Sequence, residues 1–277
     1  MSDRLAVRPF TAGDIPAGMR LKEAANWNQT ADDWRRVLAF APDGCFAIEC
    51  DGEVRATTTA VCYGHELAWI GMVLTDPAYR GRGLARRLME HALDYLRGRG
   101  VRWVKLDATD MGRPLYERLG FQSEGAIERW MRAPGPGEAS GARTGKFTYD
   151  SELDRLAFGA DRSDVIRALA AIESASLPGA GFAMGRPGSN AAFFGPCVSR
   201  TSAAARELLR WFLMAHTSEN IYWDILPANA EASAIARESG FVRVRELSRM
   251  ALAGAENAAP LTNRDELVFA AAGFEYG

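Results

Sequence analysis

Two arginines alternate with two glycines at the point where an apolar run gives way to a helical pattern. The run Ile70–Thr75 is typical of a buried strand, and Pro77 ends it. Arg80-Gly81-Arg82-Gly83 follows, and apolar residues then recur with helical spacing from Leu84 onward. The first turn of a helix carries unpaired backbone N–H groups and partial positive charge, and glycines let a ligand approach the backbone closely. The pattern predicts a phosphate or pyrophosphate site. The alternative is an ordinary strand-to-helix turn on a basic surface, which would have the same sequence pattern.

The composition limits the classes of protein to which the chain can belong. Its 277 residues, 48% hydrophobic and 25% charged, predict a globular protein of one large domain or two small ones. The formal net charge of -2 gives no bulk attraction to nucleic acid. Four cysteines and three histidines show no metal-ligand spacing, so no metal is expected. No apolar run has membrane length and no signal core is evident, so we expect no membrane partner and a reducing, cytoplasmic location.

The first 130 residues alternate between strand and helix patterns. Two helices are expected between Ile15 and Phe40, and Trp103–Ala108 and Gln122–Met131 are expected strands. A right-handed crossover through the helix that starts at Leu84 would place Ile70–Thr75 and Trp103–Ala108 parallel in one sheet. The fold class is therefore α/β, with a mixed α+β sheet.

A change in composition divides the chain. Residues 133–146 are rich in glycine and proline, include one serine and contain almost no bulky apolar residue, as in an interdomain linker of the Pro/Gly/Ser type. We therefore predict a first domain at 1–132 and a second at 147–277.

The two predicted domains share landmarks in the same order. Arg129 follows Gly120-Phe121 by nine residues from the glycine, and Arg249 follows Gly240-Phe241 by the same separation. Upstream strands hold Asp107 in the first domain and Asp224 in the second, and Phe193–Val198 precedes the amphipathic helix Thr201–Ala215 as the run before Pro77 precedes its own helix. The second domain has no glycines at Ser199–Ser202 and has Ala236 in place of Tyr116. The repeat thus predicts one competent and one degenerate half.

Two motifs together carry a family resemblance. Arg80-Gly81-Arg82-Gly83-Leu84-Ala85 resembles the R/Q-x-x-G-x-G/A motif of the GNAT acyl-CoA N-acyltransferases, and Leu115–Phe121 resembles their L-Y-x-x-x-G-F motif. The motifs lie about 30 residues apart with a strand between them, and the clear match covers roughly residues 4–132. The second domain resembles a divergent GNAT-like domain and keeps Asn229, similar to the asparagine that often opens the second motif. The first domain departs there, with Thr109-Asp110.

The resemblance implies a reaction and a set of site residues. Acetyl-CoA would place its pyrophosphate on the amides of Arg80, Gly81, Arg82, Gly83, Leu84 and Ala85. Two parallel strands would splay apart around Val73 and Leu106, so that Val73, Leu74 and Thr75 could hydrogen-bond the pantetheine and polarise the thioester carbonyl. A neutral primary amine would attack directly, and Tyr116 would protonate the thiolate. Asp107 is the first candidate for the base, ahead of Glu66 and Glu23, and no acyl-enzyme on Cys62 is expected.

The acceptor side is less defined by the sequence. Trp27 and Asn28, in the loop between the first two helices, are candidates to line the acceptor mouth of a small-molecule amine site, and core packing for Trp27 is the alternative. Two other functions stay open: a non-catalytic acyl-CoA-binding regulatory or interaction protein, and an acetyltransferase of protein lysines or N-termini. A Rossmann nucleotide site is disfavoured because the G-x-G-x-x-G spacing is missing. The oligomeric state is open, with a homodimer as one option.

Overall fold

One mixed sheet of twelve strands runs through the part of the chain that the computed structural model describes, residues 6–137, 147–254 and 258–277. Helices cover both of its faces. The strands are β1 Val7–Pro9, β2 Cys45–Cys50, β3 Glu53–Tyr63, β4 Leu67–Thr75, β5 Trp103–Ala108, β6 Gln122–Arg132, β7 Glu173–Leu177, β8 Gly181–Arg186, β9 Ala192–Ser199, β10 Ile221–Ile225, β11 Val242–Ala253 and β12 Val268–Ala270. The helices are α1 Ile15–Ala24, α2 Ala31–Phe40, α3 Leu84–Gly98, α4 Arg113–Arg118, α5 Ser151–Phe158, α6 Ser163–Ala170, α7 Ser202–Ala215 and α8 Ala230–Glu238. The mixed α/β class is confirmed.

Local sequence explains where the helices near the site begin. Thr30 caps α2, because its hydroxyl accepts from Asp33 N while the Asp33 carboxylate accepts from the Thr30 amide. Helix α3 buries one apolar stripe, including Leu84, Leu88 and Leu96, and its opposite face is charged. The predicted break between α1 and α2 at residues 26–30 is therefore confirmed, as is the helix after the glycine-rich turn.

The order of strands shows that the two halves of the chain exchange a strand. The order is β1-β2-β3-β4-β5-β11-β6-β10-β9-β8-β7, with β12 paired to β9. Strand β11 from the second half thus lies beside β5, and β6 from the first half lies beside β10, while β6 and β11 pair with each other antiparallel. The domain boundaries along the chain stay a prediction, and residues 138–146 of the expected linker lie outside the described residues.

Two ion pairs fasten this exchange. Arg249 of β11 lies opposite Asp107 of β5 and donates to both carboxylate oxygens, at 2.9 and 3.1 Å. Arg129 of β6 lies opposite Asp224 of β10 and does the same at 2.8 and 2.7 Å. These four residues are the landmarks of the internal repeat. Their spacing is explained by reciprocal bidentate pairs between the halves, each with its aspartate side chain fully buried.

A gap opens in the sheet between β4 and β5. The parallel ladder joins Leu67, Ala68 and Trp69 to Trp103, Val104 and Lys105 and ends there. From Ile70 to Thr75 the described residues provide β4 with no ladder partner on its β5 side. The expected splaying of the two strands is confirmed.

The second half contains the counterpart of this gap, but it is filled. Strand β9 pairs parallel with β10 only from Ala192 to Phe194. Beyond that point β9 pairs with β12 instead, at Cys197 and Val198. We call residues 265–277, which contain β12, the strap. The strap then continues toward the first half, where Trp69 Nε1 donates to Phe274 O and Tyr63 Oη donates to Tyr276 O.

Candidate active site

The glycine-rich turn is held in place by the residues before it. The Asp76 carboxylate accepts from Ala78 N at 3.0 Å and from Arg55 at 2.9 Å. The ring of Tyr79 lies between the guanidinium groups of Arg55 and Arg82, each 4.6 Å from the ring centroid. Arg82 is therefore committed to supporting the turn, and it does not line the cavity described below.

The N-terminus of α3 is open. Gly81 and Gly83 have φ of 75° and 79°, a left-handed conformation that glycine adopts without strain. A Cβ at either position would meet no protein atom within 4 Å. Gly83 is the N-cap and supplies no side chain to bond the first amides of the helix. These amides are therefore free to hold an anion.

A bulge redirects β4 at the edge of the gap. Met72 has φ of 49°, an unfavourable left-handed conformation for a residue with a side chain. Its carbonyl accepts from the Thr57 hydroxyl at 2.8 Å, and the register against β3 shifts at this point. Backbone strain of this kind is retained where the surrounding structure fixes it, often beside a functional site. The bulge leads directly into Val73, Leu74 and Thr75, which line the gap.

Tyr116 lies in the same space with a neutral hydroxyl. Its side chain is the buried side chain of α4 and packs against Phe121, and the hydroxyl makes no hydrogen bond with the described residues. Burial raises the pKa of Tyr116 far above its usual value. The phenol therefore keeps its proton throughout the physiological pH range.

The gap opens into a cavity of about 1260 Å³ that brings most of the predicted site residues together. This volume suits an extended cofactor together with a second substrate. The predicted residues that line it are Trp27, Val73, Leu74, Thr75, Arg80, Gly81, Gly83, Leu84, Ala85, Asp107 and Tyr116. Glu23, Glu66 and Cys62 do not line it, and burial raises the pKa of the Cys62 thiol.

Asn28 is placed differently from the sequence expectation. Its amide oxygen accepts from Asn190 N and Ala191 N, and its Nδ2 donates to Ala191 O at 3.0 Å. These bonds dock the α1–α2 loop onto the second half, so Asn28 is a docking residue here. The neighbouring amide, Gln29, lines the cavity instead.

Asp107 lines the cavity but is not free. Both of its oxygens accept from Arg249, as described above, and the guanidinium of Arg249 also stacks over the ring of Trp69 at 4.7 Å. Burial raises the pKa of Asp107, while Arg249 opposes that shift. A carboxylate with both oxygens occupied by one guanidinium is poorly placed to accept a proton from an incoming amine.

The strap brings a carboxylate that no sequence signal indicated. Glu275 lines the cavity and is 2% exposed, and its Cα lies 2.9 Å from where a Cβ on Gly71 of β4 would be. Its oxygens accept from Gln29 Nε2 and from Arg186, both at 2.8 Å. Burial raises the pKa of Glu275, and Arg186 opposes the shift. Glu275 is 246 residues from Gln29 along the chain, so periodicity and local motifs carry no information about this contact.

Two absences hold for the described part of the chain. No cluster of three or more histidine, cysteine, aspartate or glutamate side chains there could hold a metal ion. Within those same residues, no helix is both long and apolar enough to cross a membrane.

The fold and the site define a class of protein that comparison with known families identifies. Residues 16–121 match the model of the acetyltransferase (GNAT) family, and residues 151–270 match that of a GNAT acetyltransferase domain. A glucosamine 6-phosphate N-acetyltransferase of Trypanosoma brucei brucei is 30% identical over 116 residues, which cover 42% of this chain and 76% of that protein. The chain belongs to the GNAT acetyltransferases and carries two such domains in tandem.

Solved structures show the same architecture over all or most of the chain. A Pyrococcus horikoshii protein, described provisionally as an acetyltransferase, superposes with a TM-score of 0.87 at 20% identity and covers 100% of this chain and 97% of that one. A tandem GNAT protein from the clavulanic acid biosynthesis pathway gives 0.63 at 16% identity, with 92% and 100% covered. These similarities concern the fold. Three further curated relatives are matched over only 44%, 44% and 49% of their own length.

Proposed function

We propose that this protein transfers an acetyl group from acetyl-CoA to the primary amine of a small molecule, with the acetyl donor bound in the open gap of the first half. The observation that carries the proposal is the open gap between β4 and β5, where an uncapped, glycine-rich helix N-terminus and the hydroxyl of Tyr116 border one cavity. Membership of the acetyltransferase family supports acetyl transfer, and one relative is named for an amino sugar acceptor.

The donor would lie along the gap. Its pyrophosphate would accept hydrogen bonds from the amides of residues 80–85, and Arg80, which has no ion-pair partner among the described residues, would add charge. Its pantetheine would pair with the free edge of β4 at Val73–Thr75. An amide there would polarise the thioester carbonyl as an oxyanion-type donor.

The reaction then needs one proton donor and one proton acceptor. The neutral amine nitrogen attacks the thioester carbon and the C–N bond forms. The nitrogen, which becomes positively charged on attack, then loses one proton to solvent, and the C–S bond breaks. Tyr116 gives its proton to the departing thiolate and regains one from solvent. Its raised pKa keeps the donor protonated until that step.

We propose Glu275 as the group that takes the proton from the acceptor ammonium. Burial raises the pKa of both Glu275 and Asp107, and the oxygens of both carboxylates are hydrogen-bonded. Glu275 differs because one of its oxygens accepts from the neutral amide of Gln29 and only the other accepts from a guanidinium, that of Arg186. A carboxylate whose pKa is raised is a stronger base than an ordinary one. Asp107, the candidate from sequence, would instead hold β11 against β5 through Arg249.

If Glu275 is the base, its titration sets the direction in which the rate changes with pH. The rate should fall as the pH drops through the raised pKa of Glu275, because the protonated acid cannot accept the ammonium proton. Glu275→Gln should lower turnover and remove this acidic limb, while Asp107→Asn should keep the limb. A limb that disappears in Asp107→Asn and persists in Glu275→Gln would reassign the base to Asp107.

Two measurements test the function itself. Calorimetric titration with acetyl-CoA should show one site per chain, and thiol release with a panel of primary amines should show turnover. Binding without thiol release for any amine would favour the non-catalytic acyl-CoA-binding alternative. Absence of acetyl-CoA binding would overturn the proposal.

A further inference from the structure

An arginine from the second half lines the wall of the same cavity without a partner. Arg245 of β11 is half-buried and borders the cavity. Its guanidinium makes no hydrogen bond or ion pair with the described residues. Arg243, on the same strand, is exposed and bonds Glu128 and Glu246, both at 2.8 Å.

The position of Arg245 is electrostatically unfavourable in the protein alone. It lies directly opposite Arg129 in the β6–β11 ladder, and like charges facing each other across an antiparallel pair are destabilising. Burial and Arg129 both lower the pKa of Arg245. A ligand that carried negative charge to this point would relieve both costs.

The neighbouring carboxylates do not supply that charge. Asp224 gives both oxygens to Arg129, and Glu275 is held by Gln29 and Arg186. Glu246 bonds Arg243. Asp110 lines the cavity and attracts Arg245, but it is exposed and forms no ion pair with it.

Arg245 lies on the opposite face of the sheet from the proposed phosphate site. Residues 245, 247 and 249 alternate onto one face in unbroken register with β6, and Leu247 belongs there to the buried cluster that also contains Ile127 and Trp34 of α2. Leu84, at the start of α3, and Tyr116 pack in the cluster on the other face. An anion at Arg245 would therefore belong to the molecule that enters from the α1–α2 side.

We propose that Arg245 binds an anionic group, a carboxylate or a phosphate, on the acceptor, so that the substrate is a small primary amine that also carries negative charge. This inference rests on the proposed acetyl transfer. Arg129, already neutralised by Asp224, would shape the same pocket by holding the ring of Phe274, 4.3 Å from its guanidinium carbon.

The test uses the full-length chain and amines in matched pairs, each an anionic amine and its uncharged counterpart: an amino acid with its amide, and an amino sugar phosphate with the free amino sugar. Wild-type protein should favour the anionic member in kcat/KM. Arg245→Gln should lower kcat/KM for the anionic member about tenfold to a hundredfold, the effect of losing one hydrogen bond to a charged group. The uncharged member should be nearly unaffected. Arg245→Lys, which keeps the charge without the planar fork, should lie between them.

Arg243→Gln is the matched control, since it removes an arginine from the same strand outside the cavity. It releases Glu246, but alternation along the strand places Glu246 on the opposite face of the sheet from Arg245, so the preference between the two members should stay unchanged. Equal losses for charged and uncharged amines in Arg245→Gln, or a wild-type preference for uncharged amines, would overturn the subsite while leaving acetyl transfer intact. A rise confined to the KM for acetyl-CoA would assign the anion to the donor and overturn the acceptor assignment. A protein that bound no acetyl-CoA would overturn both proposals.

Discussion

The two halves of this molecule have built the same gap in the sheet and use it differently. Between β4 and β5 the gap opens into a cavity of about 1260 Å³. Between β9 and β10 the chain fills it with its own strap. Trp223 Nε1 donates to Phe269 O at 2.8 Å, and Ala271 N donates to Asp224 O at 2.9 Å. The backbone of β12 thus takes the place that we propose for pantetheine in the first half.

The helix that follows each gap shows the same contrast. Helix α3 begins at Gly83 without a side-chain cap, whereas the hydroxyl of Thr201 accepts from Ala204 N at the start of α7. Arg200, at the position of the basic turn, is paired with Asp150 at 3.0 Å. In the second half, side chains of the protein therefore bond the helix N-terminus and the basic residue. In the first half, the equivalent groups are left for a ligand.

The parts that the halves share are those that join them. Each contributes one aspartate and one arginine to the exchanged strands, and the two bidentate pairs have nearly the same geometry. The scaffold is thus conserved within the repeat, while the ligand space has diverged. This divergence contributes to the proposed mechanism, because the strap that fills the gap between β9 and β10 also carries Glu275 to the cavity at the gap between β4 and β5.

The largest effect expected from this comparison concerns Tyr116, which the second half replaces with Ala236. Tyr116→Phe should lower turnover about 10²- to 10⁴-fold, the usual contribution of a general acid. Acetyl-CoA affinity should stay near the wild-type value, because the ring still packs against Phe121. Steady-state thiol release and calorimetry measure the two quantities. Unchanged turnover with a good acceptor would remove the proton-donor role.

The two buried ion pairs should contribute about equally to the free energy of unfolding. Asp224→Asn leaves the buried Arg129, and Asp107→Asn the largely buried Arg249, without its counter-charge, which should cost about 3–5 kcal/mol in free energy of unfolding. Denaturant unfolding of the two variants measures this. Arg243→Gln, which breaks exposed pairs, should cost less than about 1 kcal/mol. A large loss for one aspartate and none for the other would contradict the reciprocal role of the pairs.

Much of this fold could be predicted from the sequence, because short-range patterns specify it. The glycine-rich turn, Tyr116 and the helix of residues 84–96 are specified within short windows, where periodicity and turn residues are informative. The repeat was also visible, because Asp107, Asp224, Arg129 and Arg249 recur in order. The meaning of the repeat was not, since a strand such as β6 has the same alternation whichever neighbour it pairs with.

The site residues that are placed by long-range contacts could not be predicted from the sequence. Asn28 and Gln29 are adjacent amides in one loop, and only the placement of residues 188–191 decides that Asn28 docks the second half while Gln29 faces the cavity. Glu275 and Arg245 reach the cavity through the strap and the exchanged strand. Neither residue belongs to a motif, so both were missed.

The open helix N-terminus can be tested against a glycine of the second half that has the same backbone conformation. Gly83→Val should weaken acetyl-CoA binding about tenfold to a hundredfold, because its side chain would displace the pyrophosphate from the first amides of α3. Gly179, with φ of 72° and open space around its Cβ position, lies in the β7–β8 turn. Gly179→Val should carry the same backbone strain and leave affinity unchanged. Equal affinity losses would show that strain, and not the anion site, is responsible.

The smallest effect is expected at the filled gap, where a change at Asn229 can separate capping of α8 from anchoring of the strap. Asn229 accepts from Ala232 N as the cap of α8, and its Nδ2 donates to Glu266 O and Val268 O of the strap. Asn229→Asp keeps the cap, since aspartate caps as well as asparagine, but it cannot donate to the two carbonyls. We expect a loss of about 1–3 kcal/mol, with faster amide exchange at Val268–Ala270 and a matching decline in turnover as Glu275 loses its position. Asn229→Ser, also a good cap, should reproduce the exchange result without adding charge. Normal protection of β12 in both variants would mean that the strap is held by Trp223 and the ladder to β9 alone. Loss of protection with full turnover would detach Glu275 from the reaction and leave the strap as a plug for the second gap only.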